Sequence, residues 1–386
     1  MSSKHFGPYL LIAATLLATS APLTAEDASP HWSDTLKNMG TVYSNPDADY
    51  IQKVKLFGRF HYQYNYSDGE SAGQDFSGDG DEIRRLRAGA SVDFLDGFKV
   101  LGRMNLIERA AFFRTDLGFS SWDELYVEYG RKDWLGFDSA SIGYGRYKLL
   151  FGGEEHQSSK RIKTIERSAI NNRFGSRRPT GAVLKADKNG VDYVFGVWSS
   201  EIDLESWSGW GENVAVQGSA EFDALDGRLL LDFIYADNSR LDLRIFNYNW
   251  ATSVTYNRTF SRGHLMANAT VSDDRRGDPL GIVLLPSVYL IPDKLEAAFR
   301  YQLSHASGDR LAPTSSGGRG LRAIALQEGV FPGAGSDYQA LYAGLNYYIA
   351  GDNLKVMAGL EYEDISGIAE TELDGLTFWL AFRTFF

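Results

Sequence analysis

A chain of 386 residues with no cysteine has no disulfides, thiolate metal sites or cysteine nucleophiles, and a net charge of −11 argues against a nucleic-acid surface. A hydrophobic content of 44% fits a water-soluble domain and equally a barrel in which every second residue faces a polar lumen. The 21 Tyr, 23 Phe, 8 Trp and 40 Gly favour the barrel, which needs aromatic girdles at its rims and glycines at its turns.

In chain order, Lys4 and His5 precede an apolar run from Leu10 to Ala18 and then small residues up to Ala25. That run is too short to span a bilayer, and the pattern is that of a signal peptide over 1–25. Its removal takes away one lysine and no acid, leaving −12. Residues 26–50 are polar and irregular and read as a periplasmic lead-in; 51–386 reads as the barrel domain. No later stretch is apolar for about 18 residues, so no helix is expected to span.

Alternation starts at Lys55. Leu56, Phe60, Tyr62, Tyr64 and Tyr66 share one face; Arg59, His61, Gln63 and Asn65 share the other. A polar loop is expected over 67–80, and Asp75, Asp79, Asp81 and Glu82, within and just after it, form a solvated acidic cluster whose spacing is not that of a helix–loop–helix calcium site. The next strand sends Leu86, Ala88, Ala90, Val92 and Phe94 toward lipid and Arg85, Arg87 and Asp93 inward. Leu95-Asp96-Gly97 is a tight turn. A third strand sends Val100, Met104 and Leu106 outward and Lys99, Arg103, Asn105 and Arg109 inward.

Similar segments recur at 122–130, 139–148, 178–187, 190–199, 213–224, 227–237, 246–260, 262–272, 281–291, 294–306, 337–349, 353–364 and 375–386. The total is about sixteen, an even number, as bacterial barrels require. Pro286 marks a bulge or weak pairing inside its strand, 222–228 and 350–353 read as tight turns, and 307–336 reads as a long external loop. Residues 150–176 follow a strand but do not alternate, and they carry Lys160, Arg161, Lys163, Arg167 and Arg173. Such a loop either stays outside or folds into the lumen. The last strand, 375–386, alternates to its end; such an aromatic edge at a free terminus would invite aggregation unless it closes a barrel in lipid. The fold class is thus all-β, a transmembrane antiparallel β-barrel. A soluble β-sandwich is the competing architecture, and about sixteen strands is large for one.

Two stretches resemble the phosphate-selective porin O/P family. One is Asp81-Glu-Ile-Arg-Arg-Leu-Arg-Ala-Gly-Ala-Ser-Val-Asp-Phe94. The other is Ile142-Gly-Tyr-Gly-Arg-Tyr-Lys-Leu-Leu-Phe-Gly-Gly153, followed by Ser158-Ser-Lys160 and Ile165-Glu-Arg-Ser168. The resemblance implies a trimeric, sixteen-stranded outer-membrane channel for anions, with 150–176 folded inward as its constriction. A terminal strand ending in Phe386 also resembles the signal read by the barrel assembly machinery. Outer-membrane lipids and lipopolysaccharide would surround the barrel. The sequence departs from the most anion-selective members in also placing Glu154, Glu155 and Glu166 in the loop.

The expected function is a diffusive porin for small hydrophilic solutes, anions such as phosphate or polyphosphate in particular, with no cofactor, metal or energy coupling. Lys160, Arg161, Lys163 and Arg167 are the candidate anion-binding residues of the constriction, because clustered cations in a narrow pore favour anions and arginine binds phosphate in a fork. Arg59, Arg85, Arg87 and Arg103 either form a basic strip along the wall or pair with carboxylates such as Asp93 and Glu108. A general, non-selective porin is the second reading. A structural or adhesive barrel has no reason to keep the charged loop, and an enzyme built on His264 and Ser261 lacks a nucleophile elbow and a third partner.

Overall fold

The computed structural model describes residues 35–386 except 37, 112–113, 176, 200–212, 238–245, 247, 275–276, 308–318, 332–334 and 368–371. The expected signal peptide over 1–25 lies outside the described residues. Seventeen strands form one sheet: β1 (Thr41–Ser44), β2 (Ile51–Ser71), β3 (Gln74–Phe94), β4 (Phe98–Ala111), β5 (Arg114–Trp134), β6 (Phe137–Arg146), β7 (Thr180–Lys188), β8 (Val191–Ser199), β9 (Val214–Ala224), β10 (Gly227–Ala236), β11 (Tyr248–Phe260), β12 (Gly263–Asp274), β13 (Pro279–Ile291), β14 (Leu295–Ala306), β15 (Asp337–Tyr348), β16 (Leu354–Ser366) and β17 (Leu373–Phe385).

From β2 onward each strand pairs antiparallel with the next, and β17 returns to β2 from Leu373↔Ser71 to Phe385↔Arg59. The result is a closed sixteen-stranded barrel. Closure leaves no unpaired edge, the condition for a sheet to sit in lipid. The expected alternation is visible on β10, where Leu231, Phe233 and Tyr235 are exposed while Leu230, Asp232 and Ile234 between them are buried. The tight turns fall where expected: Leu95, Asp96 and Gly97 all have positive φ, as do Leu225 and Asp226. The β13–β14 ladder skips Leu285 and Pro286, in keeping with a residue that has no N–H to donate.

Three expectations are corrected. Residues 67–80 are not a loop: β2 and β3 run through them and meet at Ala72-Gly73, with φ 48° and 79°. Beyond the lipid a strand needs no apolar face, so the hydrophobic pattern stops while the backbone ladder continues. The lead-in is not wholly irregular, since it contains β1. Within 307–336, α3 (Leu321–Gln327) packs on β2, β3 and β17, with the Leu321 side chain above Gly69 and Gly375 and Ile324 above Gly78; it does not stand outside the barrel wall.

The two termini meet on β2. β17 covers this strand only down to Arg59, and β1 takes over below it, pairing Thr41↔Lys55 and Ser44↔Lys53, with the Leu56 N–H donating to the Gly40 carbonyl at 2.7 Å. Phe386 fills the junction. Its N–H donates to the Gly58 carbonyl at 3.2 Å, and its ring lies where a side chain on Gly58 would be, 2.5 Å from an added Cβ. Deleting Phe386 should therefore lower the yield of folded, heat-modifiable barrel severalfold. Gly58→Val, which keeps Phe386 but fills its seat, should do the same; gel mobility of unboiled membranes measures both.

Candidate pore-lining site

The inner faces of β2 to β5 carry the arginines. Arg59 lies opposite Arg87 in the ladder, and His61 lies opposite Arg85. One residue later the β2–β3 register shifts, and the extra residue is Arg84. A bulge places two successive side chains on the same side, so Arg84 and Arg85 both border one cavity. The same device recurs on β5. The β4–β5 register shifts beside Arg103, and both Asp123 and Glu124 turn toward its guanidinium.

Asp123 is the hub of this wall. It is 1% exposed and takes Arg103 at 2.6 Å, Arg87 at 2.9 Å and Arg178 at 3.2 Å. Arg103 also pairs with Glu124. Arg87 and Arg103 are thus held by carboxylates, but by Asp123 and Glu124, not by Asp93, which pairs with Lys99 at 3.8 Å. Arg59 and Arg85 differ. Arg59 donates to the Ser159 hydroxyl at 2.5 Å and keeps a buried Nε without a partner; Arg85 keeps a buried Nη1 without a partner. No ion pair to a carboxylate is formed by either among the described residues.

Residues 147–179 connect β6 to β7 and contain two short helices, α1 (Gly153–His156) and α2 (Ala169–Phe174). Ser168 caps α2, accepting from the Asn171 N–H at 3.0 Å. Tyr147, Leu149, Phe151, Ile170 and Phe174 of the segment share a buried apolar cluster with Trp198, Ile234, Tyr248, Met266 and Leu285. The segment's polar atoms reach strands all around the ring. The Gly152 N–H donates to Asp232 on β10 at 3.0 Å. On β14, Arg300 donates to the Glu166 carbonyl at 2.6 Å and Lys163 pairs with Glu296. Lys355 on β16 donates to the Ile162 carbonyl at 3.0 Å, Arg383 on β17 to the Ile165 carbonyl, and Arg84 on β3 to Glu166 at 2.5 Å.

The four expected cations of the segment are not equivalent. Arg167 is buried against Glu155 at 2.7 Å, and Lys163 is taken by Glu296. Lys160 stacks over the Phe385 ring at 4.3 Å, and Arg161 is exposed. Neither of these two forms an ion pair among the described residues. Burial first, then the nearby Arg59 and Arg103, pull the Lys160 ammonium down to about 8. Burial likewise pulls Lys148 down to about 7, opposed by Glu155. Arg84 and Arg319 hold Glu166 well below the usual carboxylate range against the effect of burial.

The two sets converge on a cavity of about 570 Å³ between the segment and β2 to β5, lined by nine arginines and one lysine against Asp123 and Glu124. Arg59, Arg85, Arg87, Arg103 and Arg167 border it; Lys160, Arg161 and Lys163 do not. Strict alternation missed Arg84, since a bulge leaves no trace in spacing. Arg177 and Arg178, also at the cavity, were legible as a doublet just before β7.

No curated protein matches the chain. Among solved structures, OprB of Pseudomonas putida in its high-pH form aligns over 86% of this chain and 94% of its own at TM-score 0.55 and 13% identity. The anion-selective porin of Comamonas acidovorans aligns over 86% and 99% at TM-score 0.54 and 12% identity. The outer-membrane channel DcaP of Acinetobacter baumannii aligns over 86% and 97% at TM-score 0.52 and 11% identity. These likenesses are of fold. The family model described as phosphate-selective porin O and P matches residues 54–267, more than half of the chain. The chain therefore belongs to the phosphate-selective porin O and P family and is a barrel channel of the outer membrane for small solutes.

Proposed function

We propose that the channel prefers anions and that residues 147–179 fold into the lumen as its constriction. The observation that carries this reading is the cavity bordered by ten cationic side chains, two of which, Arg59 and Arg85, have no carboxylate partner among the described residues. Bonds from the segment to β3, β10, β14, β16 and β17 support its position across the barrel. Its apolar cluster against β8 to β13 would fill that side and leave the aqueous path along β2 to β5. Arginine forks suit the oxygens of phosphate. A homotrimer, embedded among lipid and lipopolysaccharide and assembled through Phe386, is the assembly that the family resemblance implies.

The pairing of most of these cations with Asp123, Glu124, Glu155 and Glu166 favours a weaker, general porin as the second reading. Titration of Lys160 separates them. A lysine lowered to about 8 is charged below that pH and neutral above it. The anion-to-cation permeability ratio, read from reversal potentials, should fall as pH rises from 7 to 10 while Lys148 and Lys160 lose their charges, and Lys160→Gln should make that step smaller. Replacing Lys160, Lys163 and Arg167 together by Gln should lower the ratio at pH 7. A ratio insensitive to pH and to these changes would support the general porin.

A further inference from the structure

We infer that His61 is a proton-responsive member of the anion site, so that an anion at Arg59 and Arg85 and a proton on this imidazole stabilise one another; the inference rests on the anion-channel reading. His61 is 1% exposed and neither ring nitrogen has a partner among the described residues. It is the centre of an inward-facing row across three strands, Arg383 on β17, His61 on β2 and Arg85 on β3. Direct cross-strand neighbours on one face lie about 5 Å apart at Cβ. Arg59 lies two residues along the same face.

The segment roofs this row. Arg59 bonds Ser159, Gln63 bonds Glu166 at 2.9 Å, and Arg383 bonds the Ile165 carbonyl, so residues 159–166 pass over His61. The groups facing it are Arg59 from β2, Arg84, Arg85 and Glu82 from β3, Arg383 from β17 and Glu166 from the segment. The two carboxylates are engaged elsewhere, Glu82 with Gln63 and Arg319, and Glu166 with Gln63 and Arg84. Besides His61, buried donors without partners remain at Arg59 Nε, Arg85 Nη1, and Arg383 Nε and Nη1.

A second proton on the imidazole would add one more cation to four arginines. A doubly charged oxyanion on Arg59 and Arg85 removes that repulsion and accepts from the new N–H. Coupling of this kind is reciprocal: what the anion does for the proton, the proton does for the anion. The Arg59 and Arg85 forks supply the fixed attraction, and a proton gained by His61 as pH falls adds to it.

Sulfate is the probe, because its charge is constant between about pH 5 and pH 8 while phosphate changes its own. In planar bilayers, the sulfate concentration that halves the chloride current should fall about tenfold from pH 8 to pH 5. His61→Gln, which keeps a polar side chain, should hold the pH 8 value throughout. Calorimetry of sulfate binding to the detergent-solubilised wild type, repeated in buffers of different ionisation heat, should show proton uptake that grows as pH falls from 8 to 5 and that His61→Gln lacks. An unchanged pH slope in His61→Gln, or no proton uptake by the wild type, overturns the inference. Sulfate that blocks neither protein at any pH overturns the anion site itself, and the inference with it.

Discussion

Replacing Arg59 and Arg85 together by glutamine should lower the anion permeability about fivefold, and the anion-to-cation permeability ratio by more, because the same charges repel cations. These two cations border the cavity without a carboxylate partner among the described residues, whereas Arg87 and Arg103 share Asp123 and Glu124. At roughly 7 Å from a passing ion and an effective dielectric of ~40, each contributes about 1.2 kcal/mol before screening. At 0.15 M salt, with a Debye length of ~8 Å, the pair's sum is reduced to about 1 kcal/mol, about a fivefold effect. The matched variant with Arg87 and Arg103 replaced should lower the ratio as well, since it frees Glu124 and leaves Asp123 with Arg178 alone, and should in addition weaken folding. Reversal potentials and heat-modifiability of both variants separate selectivity from stability.

Arg300→Met should release the segment and raise single-channel conductance. Arg300 is 1% exposed and joins three parts of the structure: Glu361 on β16 at 2.6 Å, the Glu166 carbonyl at 2.6 Å and the Thr164 hydroxyl at 3.2 Å. Methionine keeps the volume but strands Glu361 and weakens the hold on Glu154, 3.9 Å away. Removing one partner of a buried pair costs about 3–5 kcal/mol. That cost is shared between the segment and the wall at Glu361, while the backbone bonds of the sixteen-strand ladder are untouched. Conductance and the passage of larger neutral sugars should increase, with strand content and gel shift unchanged. Unaltered conductance would mean the segment is held without Arg300, or does not narrow the channel.

The barrel was legible wherever a strand crosses lipid, because one face must be apolar and the period is two. Residues 55–66 and 375–386 carry that pattern plainly, and both strands lie where expected. Legibility fails where lipid ends. Residues 67–80 continue their ladder in water with acidic and glycine positions that look like a loop, and Leu321 to Gln327 form a helix whose packing partners are glycines on distant strands. In the site, residue types were visible but partners were not. Whether Arg103 meets Asp93, Glu108 or Asp123 depends on which rows align across β3, β4 and β5, and one inserted residue at a bulge changes the answer. The same insertion brings Arg84 to the cavity. Of the segment's cations, the sequence distinguished none; tertiary contacts assign Lys163 and Arg167 to carboxylates and leave Lys160 and Arg161 without one.

The most direct test is the reversal potential of the purified, full-length protein in a planar bilayer across a tenfold potassium chloride gradient at pH 7. A channel whose path runs between Arg59, Arg85 and the segment should give a potential of the sign that marks chloride as the more permeant ion. A potential near zero, or of the opposite sign, would contradict anion preference and leave an outer-membrane channel without it.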